Sequence, residues 1–124
     1  MIDHVALEVR DLAVAARFYD ALMRPLGGRR IVDSPDGIGY GRDRPELWLM
    51  PRARGACAPG GHIAIVATGR RAVDAAHQAG LAAGGRDAGA PAPRAFASAR
   101  PPSYYSGYLV DPDGARLELV SGSR

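Results

Sequence analysis

Apolar and polar residues alternate through "DHVALEV", residues 3 to 9, so that Val5, Leu7 and Val9 point one way and His4, Ala6 and Glu8 the other. A period of two predicts a half-buried strand. The period then lengthens: Val14, Phe18 and Leu22 fall on one face of a predicted helix that stops at Gly27 and Gly28. Beyond it, "RRIVD", "IGYG" and "ELWLM" read as strands separated by the turns "SPDG" and "RDRP".

The same order then repeats. "GHIAIVA" opens on His62 as the first strand opens on His4, and a helix pattern carrying Val73, Ala76 and Leu81 ends at Gly84 and Gly85. A weak strand near 86 to 88 follows, then "YYSGYLV", the turn "DPDG" and "ARLELV". Each half reads β-α-β-β-β. Module 1 covers residues 1 to 50 and module 2 residues 61 to 121; "PRARGACAPG", 51 to 60, is the linker, and "GAPAPRAFASARPPS", 89 to 103, reads as an inserted loop. One domain of 124 residues is large enough to bury a core of its own.

Carrying the alternation through both halves predicts which residues share a face. Glu46, Trp48 and Met50 oppose Leu47 and Leu49, and Arg116, Glu118 and Val120 oppose Leu117 and Leu119. The aliphatic faces are what the helices cover. His4, Glu46, His62 and Glu118 are therefore expected on the sheet faces turned away from the helices. His77 takes the place of Tyr19 in the repeat and is expected near a helix surface, outside the site.

Composition narrows the partners. All sixteen basic residues are arginine, spread along the chain with no dense basic block, and the net charge is +3, so nucleic acid is not expected as a partner. Without lysine, no Schiff base can form on a lysine side chain. The single Cys57 cannot pair within the chain, no leader-like segment opens the sequence and no stretch is long and apolar enough for a membrane span; a soluble, reducing, cytoplasmic setting is expected.

The paired β-α-β-β-β halves, "DHVALEV" with "GHIAIVA", "FYDALMRPLG" and above all "DPDGARLELV" resemble the vicinal oxygen chelate superfamily, the glyoxalase, bleomycin-resistance and extradiol-dioxygenase group. The resemblance covers nearly all of the chain except residues 89 to 103. It implies an α+β fold in which two tandem βαβββ modules form a cup-shaped, partly open eight-stranded sheet with helices outside and each module's first strand beside its last. It also implies a homodimer, and a metal set of His4, Glu46, His62 and Glu118.

Two imidazoles and two carboxylates suit a divalent ion of borderline softness such as Zn, Ni, Mn or Fe, and leave positions for two neighbouring substrate oxygens. The implied reaction is that of a lyase or isomerase: the ion steadies an enediolate while Glu118 or Glu46 moves the proton. Arg94 and Arg100 are placed to close over an anionic substrate. Trp48, Tyr40, Tyr104, Tyr105 and Tyr108 are candidates for a pocket wall, though ordinary strand core accounts for them as well. The principal alternative is a metal-free protein that binds a drug or other small molecule; a ring-cleaving dioxygenase and a thiol transferase are lesser ones.

Overall fold

The computed structural model describes residues 2–52, 62–94 and 104–122. Module 1 comprises β1 (Val5–Val9), α1 (Leu12–Met23), β2 (Arg29–Ser34), β3 (Gly37–Gly41) and β4 (Leu47–Pro51); module 2 comprises β5 (Ile63–Val66), α2 (Arg70–Ala82), β6 (Arg86–Pro93), β7 (Tyr105–Val110) and β8 (Arg116–Ser121). The eight strands form two four-stranded sheets of identical plan, β1-β4-β3-β2 and β5-β8-β7-β6. In each, the first strand pairs in parallel with the last, and the remaining pairs are antiparallel. The internal repeat is thus a repeat of topology, and β1 and β5 are each left at a sheet edge.

Alternation places the core as expected: Leu7, Val9, Leu47, Leu49, Leu117 and Leu119 are buried, whereas Ala6, Glu8 and Ala64 are exposed. The helical faces differ in detail from the sequence expectation. Phe18, Leu22, Val73 and Ala76 are buried as expected, but Val14 and Leu81 are 38% and 40% exposed, and the buried stripe is completed by Ala15, Ala16, Tyr19 and Met23 on α1 and by His77 and Gly80 on α2. The reason is that the two helices pack on each other as well as on the sheets, which rotates the buried stripe.

The double glycines do two separate jobs. Gly84 takes a left-handed φ of 101°, the ordinary helix stop. Gly85 is needed for closeness: a Cβ there would lie 2.5 Å from Phe18 Cε2 and 2.9 Å from the carbonyl oxygen of Gly80. Phe18 of module 1 therefore packs against the bare backbone that follows α2.

A second lock joins the modules through the "DPDG" turn. Asp111 Oδ1 accepts from the backbone N–H groups of Asp113 (2.9 Å) and Ala115 (2.8 Å), and its Oδ2 accepts from the Tyr19 hydroxyl of α1 at 2.8 Å. Asp113 in turn accepts from the Arg10 backbone N–H (2.8 Å) and guanidinium (3.1 Å). Both aspartates are buried, so the turn is a buried polar joint with its acceptors in use.

Strand β6 corrects the sequence expectation of a loop from residue 89: the strand runs on to Pro93 through two register shifts. It is an edge strand, where Pro91 and Pro93 remove no ladder donor that a neighbour requires. The linker from 53 on, Cys57 and Arg100 lie outside the described residues. No helix among the described residues is long and apolar enough to cross a membrane.

Candidate functional site

In module 2 the polar face of β8 and β7 gathers four side chains. Tyr108 stands opposite Glu118 in the β7–β8 ladder, and Tyr104 lies just before β7. Both hydroxyls donate to Glu118 Oε1, at 2.5 Å from Tyr104 and 3.0 Å from Tyr108, while His62 Nε2 lies 3.2 Å from Oε2. The Glu118 side chain is only 1% exposed, whereas that of His62, at the mouth of β5, is 47% exposed.

A carboxylate taken out of water is costly unless it is hydrogen-bonded and paired. Burial by itself would raise the Glu118 carboxyl, but the Tyr104 and Tyr108 hydroxyls and the charge of His62 outweigh it, and the net shift is downward. Glu118 is therefore a buried anion at neutral pH. Burial, with the neighbouring Glu118 charge, pushes the Tyr108 phenol up and keeps it a donor. The His62 and Tyr108 rings meet edge to face, 6.0 Å between centroids, and the Arg94 guanidinium carbon lies 5.6 Å from the centroid of the Tyr108 ring.

Module 1 presents the matching face with different fittings. His4 Nδ1 lies 2.8 Å from Asp3 Oδ2, and Arg44 donates to Asp3 Oδ1 at 3.0 Å. The hydrogen bond from His4, then that from Arg44, hold the Asp3 carboxyl below its ordinary range. An ionised carboxylate can only accept, so His4 Nδ1 is the donor of this pair and Nε2 is the ring nitrogen that Asp3 leaves unengaged. His4 borders a hollow of about 540 Å³ with Ala6, Trp48 and Met50. The floor is shaped by two bare positions on β3: a Cβ on Gly39 would meet the Trp48 indole at 3.3 Å, and one on Gly37 would meet Met50 Sδ at 2.8 Å.

Glu46 sits apart. Its side chain is 58% exposed and 3.8 Å from Arg44 Nε, beside a groove of about 520 Å³ between the modules that is also lined by Ile63, Ala64, Ile65 and Val66. The structure thus brings Glu118 and His62 together but leaves His4 and Glu46 elsewhere in the same chain. Among the described residues no three His, Cys, Asp or Glu side chains converge on one point.

The remaining candidates divide between the two sides of the sheets. Tyr104, Tyr108, Arg94 and Trp48 lie on the faces away from the helices. Tyr40 is wholly buried on the helix side, its hydroxyl donating to Asp20 Oδ1 at 2.8 Å, and Tyr105 donates to Asp74 Oδ1 at 2.6 Å with Arg70 over its ring. His77, expected near the surface, is 6% exposed, with Nε2 3.1 Å from Asp87 Oδ1 and 3.2 Å from the Tyr108 carbonyl oxygen. Sequence reasoning missed Asp3. Its signal was its place beside His4, where a carboxylate can orient the ring.

The chain is similar to a glyoxalase/bleomycin resistance protein from Albidiferax ferrireducens T118, at 29% identity over 95% of both chains and a TM-score of 0.79. It is also similar to a glyoxalase-related enzyme from Fulvimarina pelagi (22% identity, 97% of this chain and 86% of that one, TM-score 0.72). A glyoxalase/bleomycin resistance protein/dioxygenase family enzyme from Burkholderia phytofirmans PsJN matches over 98% of both chains at 16% identity and a TM-score of 0.74. No protein-family model and no curated protein matches the chain.

Proposed function

From the premise that this chain has the glyoxalase/bleomycin resistance/dioxygenase fold of the vicinal oxygen chelate superfamily, we propose a divalent-metal-dependent lyase or isomerase. Its substrate is a small molecule with oxygens on neighbouring carbons, and its site forms where module 1 of one copy meets module 2 of a second.

The observation that carries this reading is the His62–Glu118 pair. A separation of 3.2 Å between Nε2 and Oε2 suits two donors that each approach one ion to about 2.0–2.2 Å. Glu118 is ionised, and its other oxygen is tied back by two hydroxyls. His4 fits the same use, because Asp3 engages Nδ1 and leaves Nε2 as the ring's remaining donor atom, the second-sphere arrangement common among ligating histidines. Zn, Ni, Mn or Fe matches such a nitrogen and oxygen set. Because His4 and Glu46 do not reach His62 and Glu118 within one chain, a homodimer that sets module 1 of one copy against module 2 of the other supplies the complete set.

A bound ion would supply Lewis-acid polarisation of the substrate oxygens. The chain's own residues divide the remaining tasks. Glu118 is pinned and buried, which makes it an anchor and a poor proton carrier. Glu46 is exposed and only loosely held by Arg44, so it has the freedom to take a proton from the carbon beside a carbonyl and return it to the neighbouring carbon. Trp48 and Met50 provide the dry wall.

Metal titration of the purified protein tests the reading. One ion per chain is expected, with binding weakened at least about tenfold in His4→Ala, His62→Ala and Glu118→Gln, and with Glu46→Gln losing far more turnover than metal. Failure to bind any of the four ions stoichiometrically would refute it. A metal-free drug-binding protein is the second reading, favoured by the flat apolar floor of Trp48 and Met50; tight uptake of an aromatic drug by a protein that binds no ion would select it.

A further inference from the structure

His77 takes no part in the chemistry above, yet it is a buried imidazole that meets the backbone of Tyr108 from the helix side of the sheet. Its Nε2 lies 3.2 Å from the Tyr108 carbonyl oxygen and 3.1 Å from Asp87 Oδ1. A carbonyl and an ionised carboxylate can only accept, so Nε2 is the donor to both. The Asp87 carboxyl is held below its ordinary range by the N–H of Gly89 and then by His77, which together outweigh burial.

The contact falls at a fault in the ladder. β6 shifts register between Asp87 and Gly89 and again between Gly89 and Ala92, with Gly89 opposite Tyr108. A strand that loses register leaves backbone groups to be satisfied from elsewhere. Asp87 Oδ1 accepts from the Gly89 N–H at 2.9 Å, and His77 reaches the Tyr108 carbonyl. Two bare positions make this closeness possible. Gly89 has a φ of 153°, and a Cβ there would lie 3.2 Å from Tyr108 Cδ2; a Cβ on Gly107 would lie 3.3 Å from His77 Cδ2.

Tyr108 is thus held twice through one pair: its carbonyl by His77, and the glycine against its ring by Asp87. On the other face of the sheet its hydroxyl donates to Glu118 at 3.0 Å and its ring meets that of His62. Tyr104, the second donor to Glu118, is fastened differently, its carbonyl oxygen accepting from the Arg94 N–H at 3.0 Å. We infer that His77, together with Asp87, is a positioning residue, which fixes the Tyr108 hydroxyl on Glu118 and thereby aims the Glu118 carboxylate at His62. Its bearing on function rests on the reading of the His62–Glu118 face as part of the site.

Carbon NMR of the full chain tests the assignment through the tyrosine Cζ signals, identified with Tyr104→Phe and Tyr108→Phe. His77→Leu is expected to move the Tyr108 signal towards that of a water-exposed phenol while the Tyr104 signal stays. His77→Gln, whose amide can still donate to both acceptors, is expected to leave both in place. Asp87→Ala, at a side chain 57% exposed, is expected to move Tyr108 in the same direction, and gives the same reading should His77→Leu fail to fold. A Tyr108 signal that stays put in the folded variants, joint movement of Tyr104 and Tyr108, or His77→Gln as disruptive as His77→Leu would each overturn the inference. These signals need no metal, so the two readings fail separately: a protein that takes up no ion but shows the Tyr108 shift loses the metal alone, and zinc uptake with an unmoved Tyr108 removes the role of His77 alone.

Discussion

At Glu118 a single carboxylate converts strand alternation into chemistry. Its carboxyl lies below the ordinary value of 4.5, because the hydroxyls of Tyr104 and Tyr108 and the charge of His62 exceed the effect of burial. A depressed value in the folded state means that the stabilisation is complete above the unfolded value and is lost as pH falls through the folded one. Urea melts are therefore expected to show wild type losing stability on acidification below about pH 4.5, with a shallower slope in Glu118→Gln. Removing one donor, in Tyr104→Phe, is expected to raise the Glu118 carboxyl and to cost about 1.5–3 kcal/mol, as for a hydrogen bond to a charged group; a carboxyl titration followed by NMR reads the shift. Alternation alone told which way His4, His62, Trp48 and Glu118 face. It could not tell that Glu118 would be sealed while Glu46 stays in water, because the strand registers pair Ala6 with Trp48 and Ala64 with Glu118, so Trp48 holds the place of Glu118 in module 1 and Glu46 lies just ahead of β4.

Elements were legible wherever a periodic run had clear stops, and least so where residue type and position conflict. "GAPAP" has the composition of a loop, yet it forms the outer part of β6 because an edge strand tolerates proline. Val14 and Leu81 look like helix core by spacing, but the contact of α1 with α2 turns them outward. That contact is held by absent side chains. Gly85→Ala is expected to destabilise the protein by about 1–3 kcal/mol through overpacking against Phe18 and the Gly80 backbone. Gly69, the extended residue before α2, has open space around it, and Gly69→Ser is expected to gain a few tenths of a kcal/mol as a helix cap. Denaturant midpoints of the two variants should move in opposite directions.

For the whole molecule, the doubling was visible in the sequence, whereas the way the two copies of the unit sit together was not. Asp111 reads as a turn residue, and nothing in one dimension says that its second oxygen receives Tyr19 from the other module. Asp111→Ala leaves two backbone N–H groups and a buried hydroxyl without their acceptor, and is expected to cost about 3 kcal/mol or more. The proposed site shared between two copies is testable by mixing. His4→Ala and His62→Ala, each expected to bind metal only weakly alone, are expected after unfolding and refolding together to regain about a quarter of the tight wild-type sites, because half of the random pairs are mixed and each mixed pair holds one intact set. No recovery would mean that each chain closes its own site.

The indole laid over Gly39 is the only one in the chain, and it forms the floor of the hollow beside His4. Its emission is therefore a built-in gauge of that compartment: a paramagnetic nickel ion arriving at His4 should quench it, a bulky guest displacing water should shift it to the blue, and neither reading calls for a dye.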